Sequence, residues 1–505
     1  MPSAIPPEKS AVVDIGSNSV RLVIYEVTGS AALPYFNEKV LAGLGRGLPE
    51  TGRLSEDGVE KALAALRRYR AILTGLGVNR VIAVATAAVR EAEDGPDFAR
   101  RAATVLGAKL RILSGADEGR LSALGVKVGF DMADGVVGDL GGSSLEFQRI
   151  TPAGQDGRGE THPLGPFSLS MSDGTKISDH RKAIRKLLKH SQILSSGAKR
   201  LYAVGGSWRA LASVHMDLTA YPLGILHGYR MSGQAIRSVT REILSIQRDK
   251  DMASRVSSIV GRRFDTIVHA ALVLDEVFDY GEFKEVIVSA NGLRDGVLFD
   301  QQERPLFEGI ERPFGDPLMD GITAFLRLGR PQYEFGLALY DFVAPVLPKS
   351  ANRQRIFRAA CLTADCGARF HPDHRADMAY YLILRSPIRS VSHEERVMLA
   401  HAIGARYTHK FQRPKAFARL GRESDDHLAR VLGAAMRLGA IYSGRSAPLL
   451  DQIRLRPTKS KLHLDVRKGS EDMVSSTVEK RLNQLASILD LEAQVSVASE
   501  VSAAS

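Results

Sequence analysis

The sequence predicts a protein of several domains that begins with α/β layers and continues as packed helices. Between residues 11 and 310, short apolar stretches rich in β-branched residues alternate with stretches of helical period, which is the pattern of layered α/β folds. Over residues 318–445 the helical pattern continues while strand signals become scarce. A chain of 505 residues has room for about three or four domains of ordinary size.

Changes of pattern along the chain give the predicted domain boundaries. The predicted segments are α/β domain I at 1–134, α/β domain II at 135–312, a helical domain at 318–445 and a small α+β region at 446–505. A predicted linker before the helical domain contains Pro305, Pro313 and Pro317. The small region carries a predicted strand at 462–466 and a predicted helix at 473–489, and we expect residues 496–505 to be frayed.

Domain I opens with two predicted strands, 11–13 and 22–27, that flank a polar turn. Ser55 then precedes two acidic residues and a run of apolar residues at helical spacing, so we expect it to cap an amphipathic helix. The next predicted elements are a strand at 81–85, a helix at 117–128 and a strand that begins at 136.

Domain II is predicted to combine strands with a long helical section. The stretch 176–189 is basic and helical in pattern, and 201–204 and 286–289 are strand-like. Residues 233–280, between these strands, are mostly helical in pattern. The alternation of strands and helices therefore extends over both predicted α/β domains.

The composition favours a polyanionic partner and an intracellular location. The net charge of +11 and the pI of about 9.5 suit nucleic acid, anionic lipid or polyphosphate, and charge alone does not choose between them. Aromatic residues make up only 6%, so binding of single-stranded nucleic acid is not expected. The sequence has no long apolar run, no signal-peptide pattern and two cysteines, so we expect a cytoplasmic protein with no membrane partner.

The most informative feature is an internal repeat. The segment Asp14-Ile15-Gly16-Ser17-Asn18-Ser19 returns as Asp139-Leu140-Gly141-Gly142-Ser143-Ser144. In each copy an apolar strand ends in a carboxylate, and a hairpin of small, hydrogen-bonding residues comes next. Glycine lets a backbone approach an anion closely, and an aspartate can hold a hard cation that offsets phosphate charge. Two such loops facing each other would form a phosphate cradle, whereas two ordinary tight hairpins are the alternative.

The two copies differ in one charged position. Aligning Asp14 with Asp139 aligns Arg21 with Glu146. One copy would offer a cation to phosphate and the other a carboxylate to a metal. The alternative is that both residues are exposed strand positions without a role.

These loops resemble those of the exopolyphosphatase/guanosine pentaphosphate phosphatase family, which belongs to the actin-like, sugar-kinase superfamily. Residues 14–19 match the family's first loop, and residues 139–146 match its second loop except that Ser143 replaces a glycine. Further matching segments follow in the family's order: Ala85–Arg90, Leu113–Gly119, Gly205–Ser207 and Gly292–Gly296. The match is strong over about residues 11–300 and weaker beyond, and it is closest to the bacterial exopolyphosphatases of the family.

The resemblance implies two actin-like, ribonuclease H-like domains, a helical HD-like domain and an enzyme that hydrolyses phosphoanhydride bonds. The implied substrate is inorganic polyphosphate, cut at its end to release orthophosphate, with guanosine pentaphosphate as a close alternative and guanosine tetraphosphate as a further ligand. A homodimer is also implied. Two other classes stay open: a small-molecule kinase, which would need a nucleotide pocket, and a non-catalytic sensor of nucleotides or polyphosphate.

By the same resemblance, Glu118 is the catalytic base; its alternative role is to favour a helix dipole. Asp139, Gly141 and Glu146 would hold Mg²⁺, with Asp14 as a secondary ligand and K⁺ as an additional cation. The implied substrate-binding residues are Asn18, Ser19, Arg21, Arg90, Ser144, Gly205, Gly206 and Ser207. A guanidinium can grip two phosphate oxygens, which favours Arg90, although a surface pair with Glu91 or Asp94 is the alternative.

The helical domain lacks the histidine-aspartate pair of a working HD metal site. At the expected place the chain has Ala364-Asp365-Cys366, and His371 and His374 do not complete a ligand set. A zinc site formed by these histidines with Cys361 and Cys366 is disfavoured by their spacing.

Two basic stretches could follow a long polyanion, or could be solvated helix faces. The first, for which we favour the solvated face, contains Lys182, Arg185, Lys186 and Lys189. The second, which we predict to be a polyphosphate track, contains Lys410, Arg413, Lys415, Arg419 and Arg422.

Overall fold

A computed structural model describes residues 8–28, 31–169, 176–300 and 316–498. The chain divides into two compact units, one over residues 6–317 and another from residue 318 onwards. The first unit contains two large sheets, and the second is mainly helical. Among the described residues, no helix is both long and apolar enough to span a membrane.

The first sheet has five strands in the order β3-β2-β1-β4-β5. Its strands are β1 (Glu8–Ile15), β2 (Val20–Thr28), β3 (Ala31–Val40), β4 (Arg80–Ala85) and β5 (Leu110–Ile112). The accompanying helices are α1 (Leu48–Thr51), α2 (Glu56–Gly75), α3 (Ala87–Glu91), α4 (Gly95–Leu106) and α5 (Gly115–Gly129). Strands β1 to β3 pair antiparallel, while β4 and β5 add in parallel.

The second sheet has the order β10-β11-β9-β6-β7-β8. Its strands are β6 (Gly135–Leu140), β7 (Leu145–Thr151), β8 (Gly154–His162), β9 (Arg200–Val204), β10 (Arg230–Ser232) and β11 (Glu285–Val288). Its helices are α6 (Ile177–Leu188), α7 (Gly206–Leu218), α8 (Gly233–Ser245), α9 (Lys250–Val260), α10 (Phe264–Tyr280) and α11 (Leu293–Phe299), with a 3₁₀ turn at Gly261–Arg263. The order β8-β7-β6-β9-β11 repeats that of the first sheet, so the fold is duplicated as well as the loops.

Local signals explain why the helices beside the site begin where they do. Ser55 caps α2 by accepting a hydrogen bond from the Gly58 N–H, as its sequence context predicts. Ser114 caps α5 in the same way, accepting from the Asp117 N–H. The buried face of α2, which includes Tyr69, packs in one apolar core with strands β1 and β2, and each fully buried large side chain there contributes about 1.5–3 kcal/mol.

The second unit consists of helices followed by a small sheet. The helices are α12 (Pro317–Leu326), α13 (Arg330–Val343), α14 (Ala351–Thr363), α15 (Arg375–Arg385), α16 (His393–Tyr407), α17 (Glu423–Ser443), α18 (Ala447–Leu450) and α19 (Ser476–Ile488), with 3₁₀ turns at Ala344–Val346, Lys415–Leu420 and Glu471–Met473. The strands, in the order β12-β13-β14, are β12 (Ile453–Pro457), β13 (Lys461–Arg467) and β14 (Glu492–Ala498). The HD-like arrangement of the helices and the domain boundaries stay predictions.

The strands and helices predicted from the sequence are confirmed, with two corrections. Residues 496–498, expected to be frayed, belong to β14, which pairs in parallel with β13; β14 has no buried residue among its described positions, so its apolar pattern is weak. Pro317, predicted to lie in the linker, is the first residue of α12, a position where proline is tolerated. Pro305, Pro313 and residues 499–505 lie outside the described residues.

Candidate active site

The two hairpins of the sequence repeat have the same backbone geometry. In the first, the Gly16 N–H donates to the Ser19 carbonyl at 2.9 Å, and in the second the Gly141 N–H donates to the Ser144 carbonyl at 2.9 Å. Asn18 is exposed at the tip of the first hairpin. Each repeat therefore forms the same tight turn between two antiparallel strands.

The charged positions that distinguish the two copies lie directly across each strand pair. Asp14 faces Arg21 between β1 and β2, and Asp139 faces Glu146 between β6 and β7. Glu146 is only 1% exposed, so it is not a solvated strand position. One hairpin thus carries a carboxylate beside a guanidinium, and the other carries two carboxylates.

The tips of the hairpins contact each other. The hydroxyl of Ser143 donates to the hydroxyl of Ser17 at 3.0 Å, and both side chains are buried. A Cβ added at Gly142 would lie 3.2 Å from the Ser17 Cβ, so the loops have little space between them. Ser143 is therefore the residue through which the second loop donates a hydrogen bond to the first.

Glu118 lies in the first turn of α5, next to the second hairpin. Its side chain is 10% exposed, and its Oε2 accepts a hydrogen bond from Arg90 Nη1 at 3.2 Å. The same guanidinium nitrogen donates to the Leu113 carbonyl at 3.0 Å, and Nη2 contacts Glu91 at 3.4 Å. Arg90 therefore makes the surface pair that was its alternative role and, in addition, contacts the predicted base.

Burial of several carboxyl groups together raises their pKa values. Burial, and then the neighbouring Asp139 and Asp14, raise the pKa of Glu118 to about 8, although Arg90 opposes the shift. The pKa of Glu146 is raised well above its ordinary value by burial and by Glu118, and burial also raises the pKa of Asp139. A cation or a proton is therefore needed to stabilise this group of carboxyls.

The residues predicted to bind magnesium suit a cation that takes few protein ligands. Asp139 Oδ2 accepts a hydrogen bond from Ser122 at 2.5 Å, while Oε1 of Glu146 is buried with no hydrogen-bond partner. Asp14, the secondary candidate, is ion-paired with Arg294 at 2.9 Å. Within the described part of the chain, no group of three or more histidine, cysteine, aspartate or glutamate residues could hold a metal. Mg²⁺ commonly uses one or two carboxylates and completes its shell with water and phosphate oxygens, so the residues fit it.

A cluster of cations, of which the sequence revealed only Arg21, lies beside the first hairpin. It contains Arg21, Lys39, Arg209, Arg263 and Arg294. Burial, followed by the surrounding guanidinium groups, lowers the pKa of Lys39 to about 8 and that of Arg209 to about 10. Half-buried cations that also repel each other indicate a site that would be stabilised by negative charge.

The predicted glycine turn after β9 packs against the second hairpin. Gly205 has φ 101°, and a Cβ there would lie 2.4 Å from the Leu140 carbonyl oxygen, so only glycine fits. A Cβ at Gly206 would lie 2.4 Å from an Arg263 guanidinium nitrogen. Ser207 follows in the first turn of α7 and is partly buried. The turn thus joins the second hairpin to the cation cluster.

In the second unit, the residues considered as metal ligands make other contacts. Asp365 forms an ion pair with Arg406 at 3.3 Å. Cys361 is buried, and burial raises the pKa of the Cys366 thiol to about 12. His371 contacts Asp373 at 3.7 Å near the surface. The Arg406 guanidinium therefore lies beside Asp365, the aspartate at the place where an HD domain has its histidine-aspartate pair.

The predicted polyphosphate track includes one residue with a structural role. Arg413 donates to Asp426 at 2.6 Å and to the Phe417 carbonyl at 2.7 Å, and its side chain is only 10% exposed. In the first basic stretch, Arg185 binds Glu276 on α10. The exposed members of the track are Lys410, Lys415, Arg419 and Arg422.

Comparison with known proteins identifies the family. The model of the Ppx/GppA phosphatase family matches residues 23–304, and the model of the exopolyphosphatase C-terminal region matches residues 340–495. The chain belongs to the Ppx/GppA phosphatase family. As a member of this family it is a phosphoanhydride hydrolase.

The relatives match somewhat more than half of the chain. Exopolyphosphatase 2 of Mycobacterium tuberculosis is 27% identical over 318 residues, which cover 57% of this chain and 96% of that protein. The crystal structure of the Ppx/GppA family member of Aquifex aeolicus is 26% identical, with a TM-score of 0.51, and covers 58% of this chain and 97% of its own. An exopolyphosphatase from Cytophaga hutchinsonii, at 22% identity and a TM-score of 0.52, shares the fold over 59% of this chain. The actin-like fold of the first unit is thereby confirmed.

Proposed function

We propose that this phosphatase is an exopolyphosphatase that releases orthophosphate from the end of inorganic polyphosphate, with Glu118 as general base and Mg²⁺ as cofactor. The observation that supports this proposal is that the two hairpins of the repeat contact each other at their tips, with buried carboxyls and a cluster of cations beside them. A chain of phosphates bears negative charge along its whole length, so it suits a cation cluster that extends beyond one hairpin. The exopolyphosphatase of Mycobacterium tuberculosis among the relatives supports the same substrate.

Glu118 has the surroundings that a general base needs near neutral pH. A water oxygen attacks the terminal phosphorus, its proton passes to Glu118, and the bond from phosphorus to the bridging oxygen breaks as the shortened chain leaves. A pKa of about 8 gives the carboxylate more affinity for that proton than an ordinary glutamate has. Arg90, bonded to Oε2, orients the carboxylate and can also contact phosphate oxygens.

Asp139 and Glu146 would hold the cation on the side of the second hairpin. Mg²⁺ would supply positive charge to the phosphate oxygens in the transition state. The unpaired Oε1 of Glu146 is a buried acceptor that a cation would satisfy, and the Ser122 hydroxyl holds Asp139 in one orientation. Additional K⁺, a homodimer and a cytoplasmic location stay predictions.

The test is release of phosphate from three substrates side by side: long polyphosphate, guanosine pentaphosphate and ATP. We expect the highest kcat/KM on long polyphosphate. A value at least about tenfold higher on guanosine pentaphosphate would reassign the substrate but keep the chemistry. Transfer of phosphate from ATP to a small acceptor would indicate a kinase, and binding without release from any substrate, with or without Mg²⁺, would indicate a sensor.

A further inference from the structure

Residues 163–169, a short segment without regular secondary structure, lie against the second hairpin. The Gly165 N–H donates to the Ser143 carbonyl at 3.1 Å, and the Phe167 N–H donates to the Gly142 carbonyl at 2.9 Å. A Cβ at Gly165 would lie 2.3 Å from the Ser143 carbonyl carbon. The two backbones are therefore in direct contact, so the segment supports the hairpin from one side.

Two buried histidines hold this segment. His269 on α10 has its Nε2 at 2.8 Å from the carbonyl oxygen of Leu164, the residue before Gly165. Its Nδ1 lies 2.9 Å from Nε2 of His180 on α6. The two side chains are 4% and 3% exposed, so this chain of hydrogen bonds is shielded from water.

The geometry fixes the protons of both rings. A carbonyl oxygen only accepts, so His269 must carry its proton on Nε2. Its Nδ1 is then the acceptor, and His180 must donate from its own Nε2. Burial lowers the pKa of His269 to about 4, so the neutral form that this arrangement needs is present at neutral pH.

Attachment of α6 to α10 does not require the histidines. Arg181 pairs with Asp275 at 2.6 Å and also binds Glu276, and Arg185 binds Glu276. Two buried imidazoles cost more to desolvate than two apolar side chains of similar size. What the histidines provide and apolar side chains would not is the hydrogen bond from His269 Nε2 to the Leu164 carbonyl.

We propose that His269, supported by His180, is a positioning residue for the reaction, because it fixes the segment that holds the Gly141–Ser144 hairpin against the substrate. The inference rests on the proposed function only where activity is measured. It predicts that turnover depends on the hydrogen bond that His269 Nε2 donates to the Leu164 carbonyl. Another polar side chain at this place that cannot make this bond should not replace the histidine.

The test compares His269→Gln with His269→Asn in the full chain. The glutamine amide can reach the position of Nε2 and donate to Leu164, whereas the asparagine amide reaches only the position of Nδ1. We expect His269→Gln to keep kcat/KM within about threefold of the parent and His269→Asn to lose about tenfold or more, because small displacements of catalytic loops are costly. Amide exchange at Gly165 and Phe167, followed by mass spectrometry, should be about tenfold faster in the asparagine variant only.

Tyr229→Phe is the matched control, because it removes a buried hydroxyl bonded to His215 at 2.6 Å in the same half of the unit. It should leave both readouts at the parent level. If His269→Asn does not fold, the same pair of substitutions is made at His180, whose Nε2 donor glutamine would again retain. Faster exchange with slower turnover in the asparagine variant and not in the glutamine variant supports the inference, and any other pattern overturns it. Because exchange needs no substrate, a wrong substrate assignment leaves that part of the test intact.

Discussion

Replacing Glu118 with glutamine removes the predicted base and changes little else. The amide has the same size, and its oxygen can still accept the hydrogen bond that Arg90 Nη1 gives to Oε2 at 3.2 Å. Glu118 lies on α5, outside both hairpins, so binding of polyphosphate should be nearly unchanged. Loss of a general base lowers kcat by about 10²–10⁴-fold, and we expect a loss of that size at constant KM.

The raised pKa of Glu118 also sets the pH dependence of the parent. Because the pKa is raised to about 8, most of this carboxyl is protonated at pH 7 in the free enzyme. The rate should therefore rise with pH through this pKa in the parent, at a lower pH once Mg²⁺ lies beside the carboxyl, and this rise should be absent in Glu118→Gln.

The stability of the parent should fall as pH rises, whereas its rate increases. The folded pKa of Glu118 lies above its ordinary value of 4.5, so its contribution to stability is fully present below pH 4.5 and is lost as pH rises through about 8. Each pKa unit corresponds to about 1.4 kcal/mol. Glu118→Gln should therefore unfold at a higher temperature than the parent at pH 8–9, and this gain should shrink towards pH 5.

The assay is phosphate release from a short oligophosphate and from long polyphosphate at saturating Mg²⁺, over pH 6–9. Asp117→Asn is the control, because Asp117 precedes Glu118 in the same helical turn but bonds to Ser114 at the exposed surface. A Glu118→Gln variant with kcat within about threefold of the parent, far below the loss expected for a base, would exclude Glu118 as the base. A loss as large in the control would show that the turn of helix, and not the carboxylate, is responsible.

The remaining predictions concern the cation, the contact between the hairpins and the basic track. Asp139→Asn and Glu146→Gln should each raise the Mg²⁺ concentration for half-maximal activity; unchanged magnesium titrations would contradict the metal assignment. Ser143→Gly and Ser17→Ala should each raise KM for the short substrate about fivefold, as loss of one buried hydrogen bond predicts. The double variant should have the same KM as either single variant. A KM that rises by the product of the two single effects would show that the contact is unimportant. Charge reversal at Lys410 and Lys415, which spares the structural Arg413, should weaken binding of long but not short polyphosphate and reduce its salt dependence. Equal effects on both lengths, or no effect on either, would exclude the track.

The sequence by itself determined the elements whose signals are local. A carboxylate followed by small residues between two apolar strands specifies a hairpin, and its recurrence predicted a duplicated site whose strand order also proves to be duplicated. The helical pattern over 117–128 put Glu118 near the start of a helix, which Ser114 proves to cap. The C-terminal edge strand β14 was missed, since its pattern has meaning only beside its partner β13.

Only the tertiary structure decided which distant charges meet. Lys39, Arg209, Arg263 and Arg294 belong to separate elements of the duplicated fold, and no spacing in the sequence relates them to Arg21. The contact between Ser17 and Ser143 and the bond from His269 to Leu164 join residues more than a hundred positions apart. Such pairs depend on how whole layers pack. The apolar pattern of a strand or helix predicts which of its faces is buried. It does not predict which polar group of another layer will lie next to that face.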